Sequence, residues 1–154
     1  MTAQACAAAL SRRADATAGL NLFITRNPAL AEQATAVDRR RARGEPLGPL
    51  AGVPLLIKDN IDTADLATSA GTPALAGRRP RADAPVLRRL LGAGALVMGK
   101  ANLQELALGI TSNNRTFGPV RNPYGPPPSR PSCRRRSGPG HRGCEPARRP
   151  RCWR

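Results

Sequence analysis

Residues 126–154 contain no Leu, Ile, Val, Phe or Met, and this absence fixes where a core can form. A segment with nothing to bury cannot offset the entropy lost on ordering, so the sequence predicts a disordered Arg/Pro-rich tail over 126–154. Any packed structure must come from residues 1–125. The tail also explains the charge. It holds nine Arg against one Glu, +8 of the chain's net +15. Such a tail will contact polyanions non-specifically. With Trp153 as its one aromatic and no amphipathic period, it offers no specific readout of nucleic acid and no membrane-binding face. Cys133, His141, Cys144 and Cys152 lie in the same tail. They form no C-x₂₋₄-C pair, so their spacing does not predict a metal site.

The remaining 125 residues read as an α/β segment. No apolar run reaches the ~18 residues of a membrane span. The first residues lack a basic stretch before an apolar one, so a cytoplasmic location is expected. Ala-rich residues 3–18 predict a helix. Asn27-Pro28 predicts the start of a second, with Leu30, Ala34 and Val37 as its apolar stripe. Arg39, Arg40, Arg41 and Arg43 crowd its end, and Gly44 suits a left-handed cap. Val53 to Ile57 is apolar without alternation and predicts a strand buried on both faces, with Pro54 near its start. Asp83 is placed to cap a helix through 84–91 carrying Val86, Leu87, Leu90 and Leu91. Ala95 to Met98 predicts a short buried strand. Asn102 and Glu105 have the spacing of a capping box for a short helix closed by Gly109. Residues 110–125 read as a loop. Strands alternating with helices imply right-handed crossovers and a mostly parallel sheet.

Lys58 is the residue with most chemical interest. It ends the apolar strand and is followed by Asp59 and Asn60, at the end of the strand where an open α/β sheet places its chemistry. A partly desolvated Lys there can lose its proton and act as a base. The same residue can equally send its ammonium to solvent or pair with Asp59 or Asp62. Gly92–Ala95 lacks the third Gly and the acidic partner of a dinucleotide site. A Ser-His-Asp triad would depend on His141 in the tail and is not expected.

Four blocks in order carry a resemblance. GPLAGVPLLIKDNID (Gly48 to Asp62), ATSAGTPAL (Ala67 to Leu75), DAPVLRRLLGAGALVMGKANLQELALG (Asp83 to Gly109) and ITSNNRTFGPVRNPYG (Ile110 to Gly125) resemble successive parts of the amidase signature family. The form ELALGITSNN is similar to amidases acting on aryl-acetamides, such as indoleacetamide and mandelamide hydrolases. The resemblance implies the N-terminal part of a large mixed sheet covered by helices. It also implies hydrolysis of the C–N bond of a small-molecule carboxylic amide, without metal or cofactor. A Ser nucleophile would attack the carbonyl, a second Ser would relay its proton to a Lys, and backbone N–H groups would hold the oxyanion. The family's motif Lys matches Lys58.

The resemblance also implies what should follow Asn122-Pro123-Tyr124: a GGSSGGS-like segment carrying the bridging Ser, with the nucleophile beyond it. Here the chain continues PPPSRPSC, and none of Ser129, Ser132 and Ser137 has a Gly-Ser-Ser-Gly-Gly setting. The expectation is a domain part over 1–125, truncated before the serine motif and inactive alone. The tail, rich in residues of GC-rich codons, then reads as out of frame. The alternative is a small basic protein that binds nucleic acid or an anionic membrane through its Arg-rich tail.

Overall fold

The computed structural model describes residues 1–125; the expectations for 126–154 lie outside the described residues. The order is α1 (Ala3–Ala16), β1 (Phe23–Arg26), α2 (Leu30–Ala42), β2 (Pro54–Lys58), α3 (Pro85–Gly92) and β3 (Leu96–Ala101). Three-residue 3₁₀ turns lie at Ala18–Leu20, Pro73–Leu75 and Glu105–Ala107. The three strands form one mixed sheet in the order β1-β3-β2. β2 runs parallel to β3, with Ile57 opposite Lys100 and Lys58 opposite Ala101. β1 runs antiparallel to β3, from Phe23 opposite Ala101 to Arg26 opposite Gly99. The sequence reading missed β1, a four-residue strand, and so expected a mostly parallel sheet. No described helix is long and apolar enough to cross a membrane.

α1 and α2 cover the sheet through small residues. Ala3 and Ala7 of α1 pack with Leu30, Ala34 and Val37 of α2 and with Leu96 of β3. The predicted stripe on α2 is thus the buried one. Gly52 fits under α1 because it has no side chain: a Cβ there would lie 2.5 Å from the Cβ of Ala3. The N-terminus of α1 is capped twice. Thr2 Oγ1 accepts from Ala5 N at 3.1 Å, and the Asp38 carboxylate accepts from Ala3 N and Gln4 N at 2.9 Å each. These oxygens satisfy amide donors that a helix start leaves free. The end of α2 closes as predicted. Gly44 has φ +70°. Its N–H reaches Arg41 O, and Glu45 N reaches Arg40 O, the paired bonds of a Schellman cap.

The amides of Gln4 and Ala3, aided by the Arg41 guanidinium, hold the Asp38 carboxyl below its usual value of 3.8. A carboxyl lowered in the folded state contributes stability that is complete above the unfolded value and is lost as pH falls through the folded one. Thermal unfolding followed by circular dichroism should therefore show stability declining below pH 3.8. Asp38→Asn should flatten that decline, since Asn does not titrate.

Several local expectations are corrected. α2 starts at Leu30 because Asn27 Oδ1 takes Ala29 N at 3.0 Å in a tight turn, while Asn27 Nδ2 holds Val97 O at 2.7 Å. Asp83 does not cap α3. Its Oδ1 accepts from Ala64 N at 2.8 Å, and Pro85 opens the helix instead. Of the four apolar residues that α3 carries, Leu87 is fully buried and Val86 is exposed. The Asn102–Glu105 capping box does not form. Asn102 Nδ2 bonds Asn21 O and Gly118 O, and Leu106 and Ala107 take positive φ, so only one 3₁₀ turn results. β2 is not buried on both faces. It is a sheet edge among the described residues, with Ile57 buried but Val53 and Leu56 each 42% exposed.

Candidate active site

Pleating divides the end of β2 between two environments. Ile57 and Asp59 face one side and are buried; Leu56 and Lys58 face the other and are exposed. Lys58, the predicted base, therefore stands at the C-terminal end of a sheet-edge strand. Among the described residues its ammonium has no hydrogen-bond or ion-pair partner. The partial desolvation expected of it is not met there, because Lys58 is exposed. The two carboxylates offered as its partners are committed elsewhere. Asp62 pairs with Arg78 at 2.7 Å, and Asp59 faces Lys100.

Asp59 and Lys100 form the polar centre beneath Lys58. Both side chains are essentially inaccessible to solvent. Lys100 Nζ donates to Ile61 O at 2.6 Å, Thr68 Oγ1 at 2.8 Å and Thr63 Oγ1 at 3.1 Å, which uses all three ammonium donors. Asp59 Oδ1 lies 3.7 Å from the same nitrogen and has no hydrogen bond among the described residues. Asp59 Oδ2 accepts from Ser69 N at 3.0 Å, from Ser69 Oγ, and from Gly71 N at 3.4 Å. The Asp59 backbone is also tied, its N–H to Ala101 O and its carbonyl to Ala70 N. Burial pushes the Lys100 ammonium below the ordinary lysine value, and the Asp59 and Asp62 carboxylates pull it back.

The loop that Asp59 grips is held from its other side as well. Gly71 has φ +71°, and a Cβ there would lie 2.6 Å from Asn114 Nδ2. Asn114, 1% exposed, donates to Gly71 O and Leu103 O at 2.9 Å each and accepts from Thr116 N and Phe117 N. Ala70 also has positive φ, and its carbonyl accepts from Leu106 N, another such residue. Strained backbone of this kind persists only where surrounding bonds over-determine it. Residues 59–71 and 102–117 thus form one hydrogen-bonded platform at the end of the sheet. Among the described residues no three His, Cys, Asp or Glu side chains come together as a metal site would need.

Sequence reading singled out Lys58, gave Asn102 a capping role, and did not single out Lys100, its pairing with Asp59, or Asn114. A Lys at the end of an apolar run, as in Val97-Met98-Gly99-Lys100, was the available signal, the same one that marked Lys58.

The sequence and the fold resemble those of known proteins. The sequence pattern of the Amidase family matches residues 4–128. The chain belongs to the Amidase family. A glutamyl-tRNA(Gln) amidotransferase subunit from Salinispora arenicola is 50% identical over 93 residues, which are 60% of this chain and 19% of that protein. The corresponding protein of Moorella thermoacetica is 44% identical over 126 residues, 80% of this chain and 26% of the relative. The native peptide amidase of Stenotrophomonas maltophilia superposes with a TM-score of 0.75 at 40% identity, covering 81% of this chain and 27% of that one. The chain therefore spans about a fifth to a quarter of the length of the curated relatives it matches. The expected fold, the N-terminal part of a mixed sheet covered by helices, is the one observed.

Proposed function

We propose that this chain carries the base of a Ser-Ser-Lys amide hydrolase, with Lys58 as the group that takes the proton when the C–N bond of a carboxylic amide is cleaved. The observation that supports it is the position of Lys58: an amine with no partner among the described residues, at the end of a sheet strand, inside a continuous Amidase match, beside an Asp whose hydrogen-bonded carboxylate oxygen is directed elsewhere. In this reading a Ser hydroxyl attacks the amide carbonyl, its proton passes through a bridging Ser to the neutral Lys58 amine, and backbone N–H groups hold the oxyanion. The substrate is a small carboxylic amide, with aryl-acetamides the first class to try.

A Lys base needs a nucleophile to act on, and Ser129, Ser132 and Ser137 have no Gly/Ser-rich setting. The 154-residue chain alone is therefore expected to hydrolyse no amide. Purified protein assayed on aryl-acetamides, peptide amides and aliphatic amides should match a buffer blank. Turnover abolished by Lys58→Ala would overturn the truncated reading while supporting the base. The proposed domain boundary at residue 125 has its own test. Sequencing the coding DNA across codons 120–130 should reveal Gly/Ser-rich codons in another frame; their absence would remove the frame-shift account.

A further inference from the structure

Arginine fills 23 of the 25 cationic positions in this chain; the two lysines are Lys58 and Lys100. A composition so biased to arginine keeps lysine where a guanidinium cannot serve. For Lys58 the proposed need is an amine that can lose a proton. For Lys100 the need is geometric. Three oxygens lie within 2.6–3.1 Å of one nitrogen, a cage that suits the three donors of a compact ammonium and excludes a planar five-donor fork.

We propose that Lys100 is a positioning residue for Lys58; the inference rests on the reading of Lys58 as the base. Every group the Lys100 ammonium touches belongs to the segment that leaves Lys58: Asp59, Ile61 O, Thr63 and Thr68. Asp59 extends the clasp to Ser69 and Gly71. A cation on the central strand thus gathers residues 59–71 into a closed loop on one side of the sheet. The register, with Ile57 opposite Lys100 and Lys58 opposite Ala101, leaves Lys58 on the other side. The clasp fixes the residue next to the base on its N–H, carbonyl and carboxylate without engaging the base itself. A proton acceptor held in place by its neighbours, with its own donor set free, meets the requirement that a catalytic group be rigidly supported.

The test uses the full chain and two readouts. In ¹⁵N-lysine-labelled protein only two Nζ signals are possible. Lys100 should give a slowly exchanging ammonium signal that disappears in Lys100→Arg and survives Lys58→Ala. Amide hydrogen exchange then measures the clasp. Thr68→Val removes one oxygen from the cage with little change in volume. It should speed exchange at Asp59, Ser69 and Gly71 by about tenfold or more, while Ala34 and Leu96 keep their protection, the pattern of local opening. Lys100→Arg should not rescue the clasp, although it preserves the charge. Lys58→Ala should leave all five amides unchanged, so loss of the base reading would not alter the exchange result. The proposal is overturned if the three clasp amides exchange at the parental rate in Thr68→Val. It is equally overturned if Ala34 and Leu96 rise in step with them, which would mark a role in overall stability alone. Should Lys100→Arg not fold, Thr68→Val decides.

Discussion

In a chain continued past Tyr124 into a Gly/Ser signature and the rest of the sheet, Lys58→Ala is expected to lose ~10²–10⁴ in kcat/KM, the usual cost of removing one proton-transfer group. Members of a relay act as a unit, so the loss can be larger. The fold should survive, because the Lys58 side chain is exposed and holds nothing among the described residues. No neighbour can replace it. Asp59 is closest in sequence, but it is occupied by Ser69 and Gly71 and faces Lys100. Lys58→Arg should be nearly as damaging, since a guanidinium does not deprotonate in proteins. The measurement is kcat/KM on one arylacetamide for parent and both variants, with circular dichroism as the control for folding. If a folded Lys58→Arg protein keeps more than about a tenth of the parental rate, Lys58 is not the base. Family membership would stand and the residue assignment would fall.

What the sequence made legible was whatever a local period or a cap dictates. The stripe Leu30, Ala34, Val37 predicted the buried face of α2, and Gly44 predicted its end, because both follow from helix geometry over a few residues. β2 was found from its apolar run, but its burial was misjudged: an apolar run does not say whether a second layer is present. Four residues were too few to show β1. Asp83 and Asn102 were misread for one shared reason. Both have side chains suited to capping, and both are used instead at long range, Asp83 on Ala64 and Asn102 on Asn21 and Gly118. Lys58 was singled out from its motif. Its supporting pair was not, since Asp59 and Lys100 lie 41 positions apart and meet only once β2 and β3 are set in register.

That pair carries the largest expected effect on stability. Asp59→Ala leaves the Lys100 ammonium fully buried without its counter-charge and frees the Ser69 and Gly71 donors. Removing one member of a buried pair typically costs about 3–5 kcal/mol. Against a total of roughly 5–15 kcal/mol for an ordinary domain, that loss is enough to unfold a marginal one. Asp62→Ala is the matched control. It breaks a closer pair, Arg78 to Asp62 at 2.7 Å against 3.7 Å for Lys100 to Asp59, but in solvent, where screening and side-chain entropy leave little net gain, so its cost should be far smaller. The double change Asp59→Leu with Lys100→Met removes both charges and should recover much of the loss, since well-packed apolar replacements of a buried pair are often neutral or better. Urea unfolding of the four proteins, followed by circular dichroism, gives the comparison directly. Equal costs for Asp59→Ala and Asp62→Ala would mean that water reaches the pair and that burial does not govern its energetics. A double variant no better than Asp59→Ala would place the loss in the freed Ser69 and Gly71 amides, and the loop grip of Asp59 would then outweigh its charge.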